Sequence, residues 1–195
     1  MTQPSPSAHP TRTEVHHDRR TLRQLLIQQR RQVDPALRQQ WDQSLMRQLL
    51  AWCKKEKPRS IAVYAPIQHE PDIQGCYSTL SEMGIQVAFP LVVRKNAPLL
   101  FLAWEPNEVM TTDEFGIPVP LQRDRIVTPE VILIPCVGFT QEKYRLGYGG
   151  GFYDRTLSQL PSARSIGIAY QNQQCTFTPG EHDLPMTIIL TEHID

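Results

Sequence analysis

The sequence predicts an α/β fold: a single three-layer domain whose sheet is mostly parallel but mixed, with helices on both faces and a disordered polar tail in front. Three observations carry that expectation. Short apolar runs alternate with segments of helical periodicity. The most apolar run, VILIPCVGF, falls late in that alternation and has the composition of a central strand covered on both faces. From residue 20 onward there is neither an internal repeat nor a linker-like stretch. The boundaries are therefore set at 1–17 for the tail and 18–195 for one domain.

The elements follow in order. MTQPSPSAHPTRTEVHHDRR offers almost nothing to bury and lacks the apolar centre of a signal peptide. His16 and His17 are adjacent there, but two imidazoles in a solvated tail do not make a metal site. Leu22, Leu25, Leu26 and Val33 recur near helical spacing. A second helix is announced by Asp34 as cap and Pro35 in the first turn. Leu37, Trp41, Leu45, Leu49 and Trp52 form its core-facing stripe. Lys54, Lys55 and Lys57 suit its C-terminus, and Pro58 stops it. SIAVYAP then reads as a short buried strand and DIQGCYSTLSEMG as a helix closing on Gly84. IQVAFPLVV and LLFLAW are strands, VILIPCVGF is the central one, FYDRTLSQL is a helix, and SIGIAY and MTIILTE are the last strands.

Composition narrows the function. Lys plus Arg number 20 and Asp plus Glu number 20, a balance that advertises neither nucleic acid nor a membrane surface as partner. No stretch approaches the roughly 20 apolar residues that span a bilayer. The four cysteines, at 53, 76, 136 and 175, have no C-x-x-C spacing and are expected to be reduced thiols in the cytoplasm. Cys136 has no histidine near it in sequence and reads as core rather than as a nucleophile.

Ligands of α/β sheets gather beyond the C-terminal ends of the strands. Three loops are expected to converge there: PIQHEPD, the glycine stretch after VILIPCVGF, and QNQQCTFTPGEHD. The glycine stretch, RLGYGGGFYDRTL, places Gly147, Gly149, Gly150 and Gly151 just before a helix that starts near Phe152. Close backbone approach, free helix N–H groups and the fork of Arg145 together make an anion site suited to phosphate. The stretch is not a P-loop. Nor is it G-x-G-x-x-G, because Phe152 stands at the third glycine and TQEKY separates the loop from its strand. On these residues alone three readings stay open. One is an ATP-consuming enzyme. Another is a sugar-phosphate isomerase or CoA-transferase-like enzyme, and the third is a non-catalytic nucleotide-binding module.

RLGYGGGFYDRTL closely resembles the signature of the 5-formyltetrahydrofolate cyclo-ligase family. RRTLRQLLIQQR is similar to that family's basic N-terminal helix, and VYAPIQHEPD to its first strand and folate loop. VAFPLV, LLFLAW, VILIPCVGF and HDLPMTIILTE follow in the family's order, so the likeness covers about residues 19–192. The chain has Arg19 where the family commonly has Lys, Thr140 where it has Asp, and Lys143 where it usually has Gly.

The resemblance implies a monomeric cytoplasmic enzyme whose domain binds ATP and a reduced folate. It would use magnesium to convert 5-formyltetrahydrofolate to 5,10-methenyltetrahydrofolate, releasing ADP and phosphate. It also implies roles by position. Arg145, Tyr153 and Asp154 are the catalytic candidates. Arg19 and Arg23 match the basic ATP contacts. Arg145, Leu146, Gly147, Tyr148, Gly149, Gly150, Gly151, Phe152 and Tyr153 match the nucleotide loop. Ala65 and Glu70 match folate contacts, with Tyr148, Gly149, Gly150, Gly151 and Phe152 lining the substrate side. Asp154 and Asp183 match the magnesium acids, since magnesium prefers oxygen ligands. Structural roles compete with each of these. Arg19 and Arg23 also fit a solvated helix face. Glu70, Asp72 and Asp154 fit helix starts, Asp183 fits a turn, and Phe152 and Tyr153 fit the core.

Overall fold

The computed structural model of the chain describes residues 18–193. The expectations for residues 1–17, His16 and His17 included, lie outside those residues.

Two helices open the described chain. α1 spans Arg19–Gln32 and is capped by Asp18, which accepts from the amides of Arg20 and Thr21. α2 spans Pro35–Glu56; Asp34 caps it with Pro35 in the first turn. The main sheet is built from β1 (Ser60–Ala62), β2 (Gln86–Leu91), β3 (Leu100–Trp104), β6 (Val131–Pro135), β9 (Arg164–Ile168) and β10 (Ile188–Leu190). Its order is β10-β9-β6-β1-β2-β3. Every neighbouring pair is parallel except β2 with β3, so the sheet is mixed.

Residues alternate across the strands as a two-residue period demands. Ile61, Val87, Leu133 and Ile166 face one way, against Leu45, Leu49 and Cys53 of α2 and against α3 (Tyr77–Glu82). Ala62, Ala88, Ile132 and Ile134 face the other way, toward Leu157 of α4 (Phe152–Gln159). The three layers and the two helical faces therefore stand. α1 lies on neither face. Its Leu22 and Leu26 pack on Val137, Leu146 and Phe177, beyond the end of the sheet.

Several elements differ from the expectation. VILIPCVGF is not one strand. β6 ends at Pro135, and Gly138–Phe139 form β7, which pairs with β8 (Arg145–Leu146) in a separate antiparallel ribbon. TQEKY is the turn of that hairpin, so the glycine stretch does follow a strand directly. Thr140 closes the turn: its backbone bonds to Tyr144 O and its Oγ1 accepts from Tyr144 N at 3.3 Å. Lys143 adopts a positive φ of 68° in that turn, a strained region for a residue with a Cβ.

DIQGCYSTLSEMG begins with a 3-10 turn, and its α-helix starts only at Tyr77. SIAVYAP and MTIILTE shorten to three-residue strands. Leu25 and Leu37 are exposed, because each lies at the edge of its helix's apolar stripe rather than at its centre. One hairpin went unforeseen, β4 (Met110–Thr112) with β5 (Pro118–Pro120). The side chain of Asp113 holds its turn by accepting from the amides of Phe115 and Ile117.

From β1 the chain winds outward through β2 to β3. It then crosses to β6 and winds the opposite way through β9 to β10. The ends of β1 and β6 are thus the topological switch point, where α/β sheets open a crevice.

Candidate active site

A cleft of about 680 Å³ opens at that switch point. Tyr64, Ala65, Ile67 and Glu70 enter it from the end of β1, and Pro135 from the end of β6. The glycine stretch, the first turn of α4, the N-terminal arginines of α1 and Asp183 close one side. The β4–β5 hairpin closes the other with Asp113, Phe115, Gly116 and Ile117. Of the expected site residues, Leu146 alone does not line the cleft. It is fully buried among Leu22, Leu26, Val137 and Phe177, because the inward pleat of β8 carries it under α1. Of the loop QNQQCTFTPGEHD, only Asp183 reaches the cleft.

The glycine stretch is shaped by what lies beneath it. A Cβ at Gly147 would overlap the Arg145 guanidinium, so only glycine lets the chain pass over that side chain. Gly151 serves as the N-cap of α4 at φ 64°, and no side chain caps that helix. The first-turn amides and the positive end of the helix therefore face the cleft. Arg23 reaches across from α1 and donates through Nε to Gly147 O at 2.6 Å.

Arg145 is not the free fork that the sequence suggested. It is 7% exposed, donates through Nη2 to Asp154 Oδ2 at 2.8 Å, and lies over the Tyr153 ring. Arg19 pairs with Asp183 Oδ2 at 2.7 Å, and the same oxygen accepts from Gly180 N. Burial alone would push Asp183 up, but the Gly180 amide and Arg19 outweigh it and hold the carboxyl below its ordinary value. The two expected magnesium acids thus each carry a guanidinium on Oδ2, leaving one oxygen of each uncommitted. Among the described residues no group of three or more His, Cys, Asp or Glu could hold a metal. Two cleft carboxylates nevertheless suit magnesium, which takes one or two from the protein and the rest from phosphate and water.

Glu70 is 3% exposed. Its Oε2 accepts from Ile67 N at 2.9 Å, closing the loop in which Gln68 and His69 both have positive φ. Its Oε1 is buried without a partner. Burial raises its pKa to about 7, against the Ile67 amide, Arg30 and Tyr148, which lower it. Glu70 does not start the next helix, since Asp72 accepts from Gln74 N instead. Tyr64 Oη donates to Pro71 O, and Asp42 accepts from Asp72 N and from Tyr170, so the loop is anchored on its far side. The Cys136 thiol is fully buried and pushed up to about 12, chiefly by burial, which makes it a poor nucleophile.

Sequence reasoning missed the hairpin wall. Phe115 is exposed and meets Phe152 edge-on at 6.2 Å between ring centres. An isolated aromatic in FGIP gives no period by which to place it. It also missed Arg30, a charged residue of α1 with no exposed surface.

In sequence and in fold the chain is similar to proteins of one family. The model of the 5-formyltetrahydrofolate cyclo-ligase family matches residues 15–192. The chain is 33% identical over 183 residues to a 5-formyltetrahydrofolate cyclo-ligase of Mycolicibacterium smegmatis, covering 87% of this chain and 91% of that protein. It is 34% identical over 160 residues to the cyclo-ligase of Haemophilus influenzae, covering 77% and 85%. A solved 5,10-methenyltetrahydrofolate synthetase from Mycoplasma pneumoniae superposes with a TM-score of 0.74 at 28% identity, over 91% of this chain and all of that one.

Proposed function

Because the chain belongs to the 5-formyltetrahydrofolate cyclo-ligase family, we propose that its cleft converts 5-formyltetrahydrofolate and ATP to 5,10-methenyltetrahydrofolate, ADP and phosphate. The observation that carries this reading is the pairing of two unlike halves in one cleft. One half is a glycine stretch and uncapped helix start with Arg19, Arg23 and Arg145, suited to polyphosphate. The other is a mostly apolar wall with one buried carboxylate, suited to a flat heterocycle with ring N–H groups. Family membership sets aside the isomerase, CoA-transferase-like and non-catalytic readings.

The chemistry asks for positioning rather than a protein nucleophile. The N5-formyl oxygen attacks the γ-phosphorus of ATP, and the bond to the β–γ bridging oxygen breaks as ADP leaves. N10 then adds to the activated formyl carbon, loses its proton, and the carbon expels phosphate to give the methenyl bridge. The protein must align two substrates and neutralise charge in the transition state. Arg23 and the amides of Gly147 to Tyr153 would hold the phosphates. Arg145 adds positive charge from behind the loop, and Asp154 keeps it oriented. Glu70 Oε1 would accept from the reduced pterin, and Phe115 with Phe152 would wall it from water. Magnesium, held by Asp154 and Asp183 with the phosphate oxygens, would neutralise charge on the β- and γ-phosphates. The enzyme is read as a cytoplasmic monomer; among the described residues no helix is long and apolar enough to cross a membrane.

The test is absorbance of purified protein with ATP, magnesium and 5-formyltetrahydrofolate. Methenyl product should appear with one ADP per turnover. Release of ADP that does not depend on the folate would count against the reading.

A further inference from the structure

Three guanidiniums lie against the glycine stretch, and the proposed mechanism uses only two of them. Arg23 and Arg145 both line the cleft. The third, Arg155, comes from the start of α4 and curls back over the loop from outside the cleft. Its Nη2 donates to Gly150 O. Its guanidinium carbon lies 5.4 Å from the centre of the Phe152 ring, a cation–π stack that holds the head group in place. The loop is shaped to seat these two side chains. A Cβ on Gly151 would stand 2.7 Å from Arg155 Nη1, and one on Gly150 would stand 2.9 Å from the Phe152 ring. The seat is itself fixed to the sheet. Thr156 Oγ1 donates to Phe152 O at 2.7 Å and accepts from Leu99 N, just before β3, at 2.9 Å.

Gly150 and Gly151 line the cleft, and Arg155 does not. In a trans peptide the carbonyl and the following N–H lie in one plane and point opposite ways. A guanidinium that draws Gly150 O to the outer side therefore turns the Gly151 N–H toward the cleft. Gly151 O is committed as well, accepting from Arg155 N at 3.1 Å. Among the described residues the Gly151 amide has no acceptor of its own. A peptide between two glycines has no Cβ on either side to fix its plane, so it needs an outside hold. A charged donor supplies a strong one, and it polarises the peptide so that the amide donates better. We propose that Arg155 is a positioning residue for ATP: by holding Gly150 O from outside, it fixes the Gly150–Gly151 peptide with its amide aimed at the phosphates. The inference rests on the reading of the glycine stretch as the phosphate site.

The experiment compares R155M and R155K with the wild type in the full chain, using a nonhydrolysable ATP analogue, steady-state kinetics, NMR and a thermal melt. R155M keeps an apolar stem over Phe152 and removes the donor. Its affinity for the analogue should fall roughly tenfold, the scale of a lost hydrogen bond to a charged group, and kcat/KM for ATP should fall alike. The KM for 5-formyltetrahydrofolate should stay within about threefold, and the melting temperature within about 2 °C, as for a substitution outside the core. R155K keeps a charged donor and should recover most of the affinity. The ratio between R155M and the wild type should persist at about 0.5 M salt, where exposed charges are screened. The Gly151 amide proton should move downfield when the analogue binds the wild type, and stay in place in R155M. A Gly151 amide that responds alike in both proteins would overturn the proposal. So would an R155K no better than R155M, or a ratio that vanishes in salt, which would make Arg155 only a distant charge. Equal losses for both substrates with a lowered melt would make it a packing residue and overturn the proposal too. A wild type that does not bind the analogue would sink the phosphate reading itself. A wild type that binds it beside an unimpaired R155M would sink only the role of Arg155.

Discussion

Replacing Asp154 with Asn separates the observed role of that carboxylate, as partner of Arg145, from its proposed role as a magnesium ligand. Asp154 accepts from Arg145, and Arg145 is almost entirely enclosed. Breaking a buried pair costs about 3–5 kcal/mol when the remaining charge is stranded. The Asn amide still offers Arg145 an acceptor, and Asp154 is itself partly exposed. The expected loss is therefore about 2 kcal/mol, which lowers the melting temperature by roughly 4–8 °C in a chain of this size. If the carboxylate also orients magnesium on the phosphates, kcat should fall by roughly a hundredfold or more, the effect of removing one preorganised electrostatic group. The magnesium concentration for half-maximal rate should rise as well. The assay is kcat across a magnesium titration beside a thermal melt. D154N/R145M serves as a companion in which stability recovers, since neither charge is stranded, while activity does not. A D154N enzyme that melts lower yet turns over at the wild-type rate at every magnesium concentration would reduce Asp154 to the partner of Arg145.

Three further outcomes follow from the same cleft. R23Q removes the donor to Gly147 O and one of the cations proposed to hold the phosphates; the KM for ATP should rise much more than that for the folate in two-substrate kinetics. G147A forces the Arg145 guanidinium out of its place under the loop; kcat/KM for ATP should drop while circular dichroism keeps its helical signal. E70Q should flatten the pH dependence of stability. In the wild type, Glu70 binds its proton more tightly folded, at about 7 against an ordinary 4.5. Its contribution is therefore full below pH 4.5 and is lost as pH rises through 7, by about 3 kcal/mol in all. Urea midpoints at about pH 5 and about pH 8 should converge in E70Q relative to the wild type.

The central strand of the main sheet was legible because it is covered on both faces, so Val131–Pro135 stands out as a continuous apolar run. The helix after the glycines was legible because Gly151 and Asp154 mark its start. The β7–β8 ribbon was not, since two-residue strands have no period to detect. Leu25 and Leu37 sit at helical spacing like their buried neighbours, and only the position of the sheet decides which of them are covered. The ion pairs were hidden for a different reason. Arg19 with Asp183 and Arg145 with Asp154 are brought together by the Gly180–Asp183 turn and a helix start, which no local spacing encodes. Arg30 was passed over because charge in a basic helix ordinarily means solvent.

The contact of Arg23 with Gly147 and that of Arg19 with Asp183 join the beginning of the described chain to its last third. Loop closure over such separations comes late, after local helices and adjacent strands have formed. During synthesis, α1 therefore waits for most of the protein to leave the ribosome before its arginines meet their partners. The arginine-lined end of the cleft is therefore completed late, and chains cut short before Asp183 would lack both the edge strand β10 and the partner of Arg19.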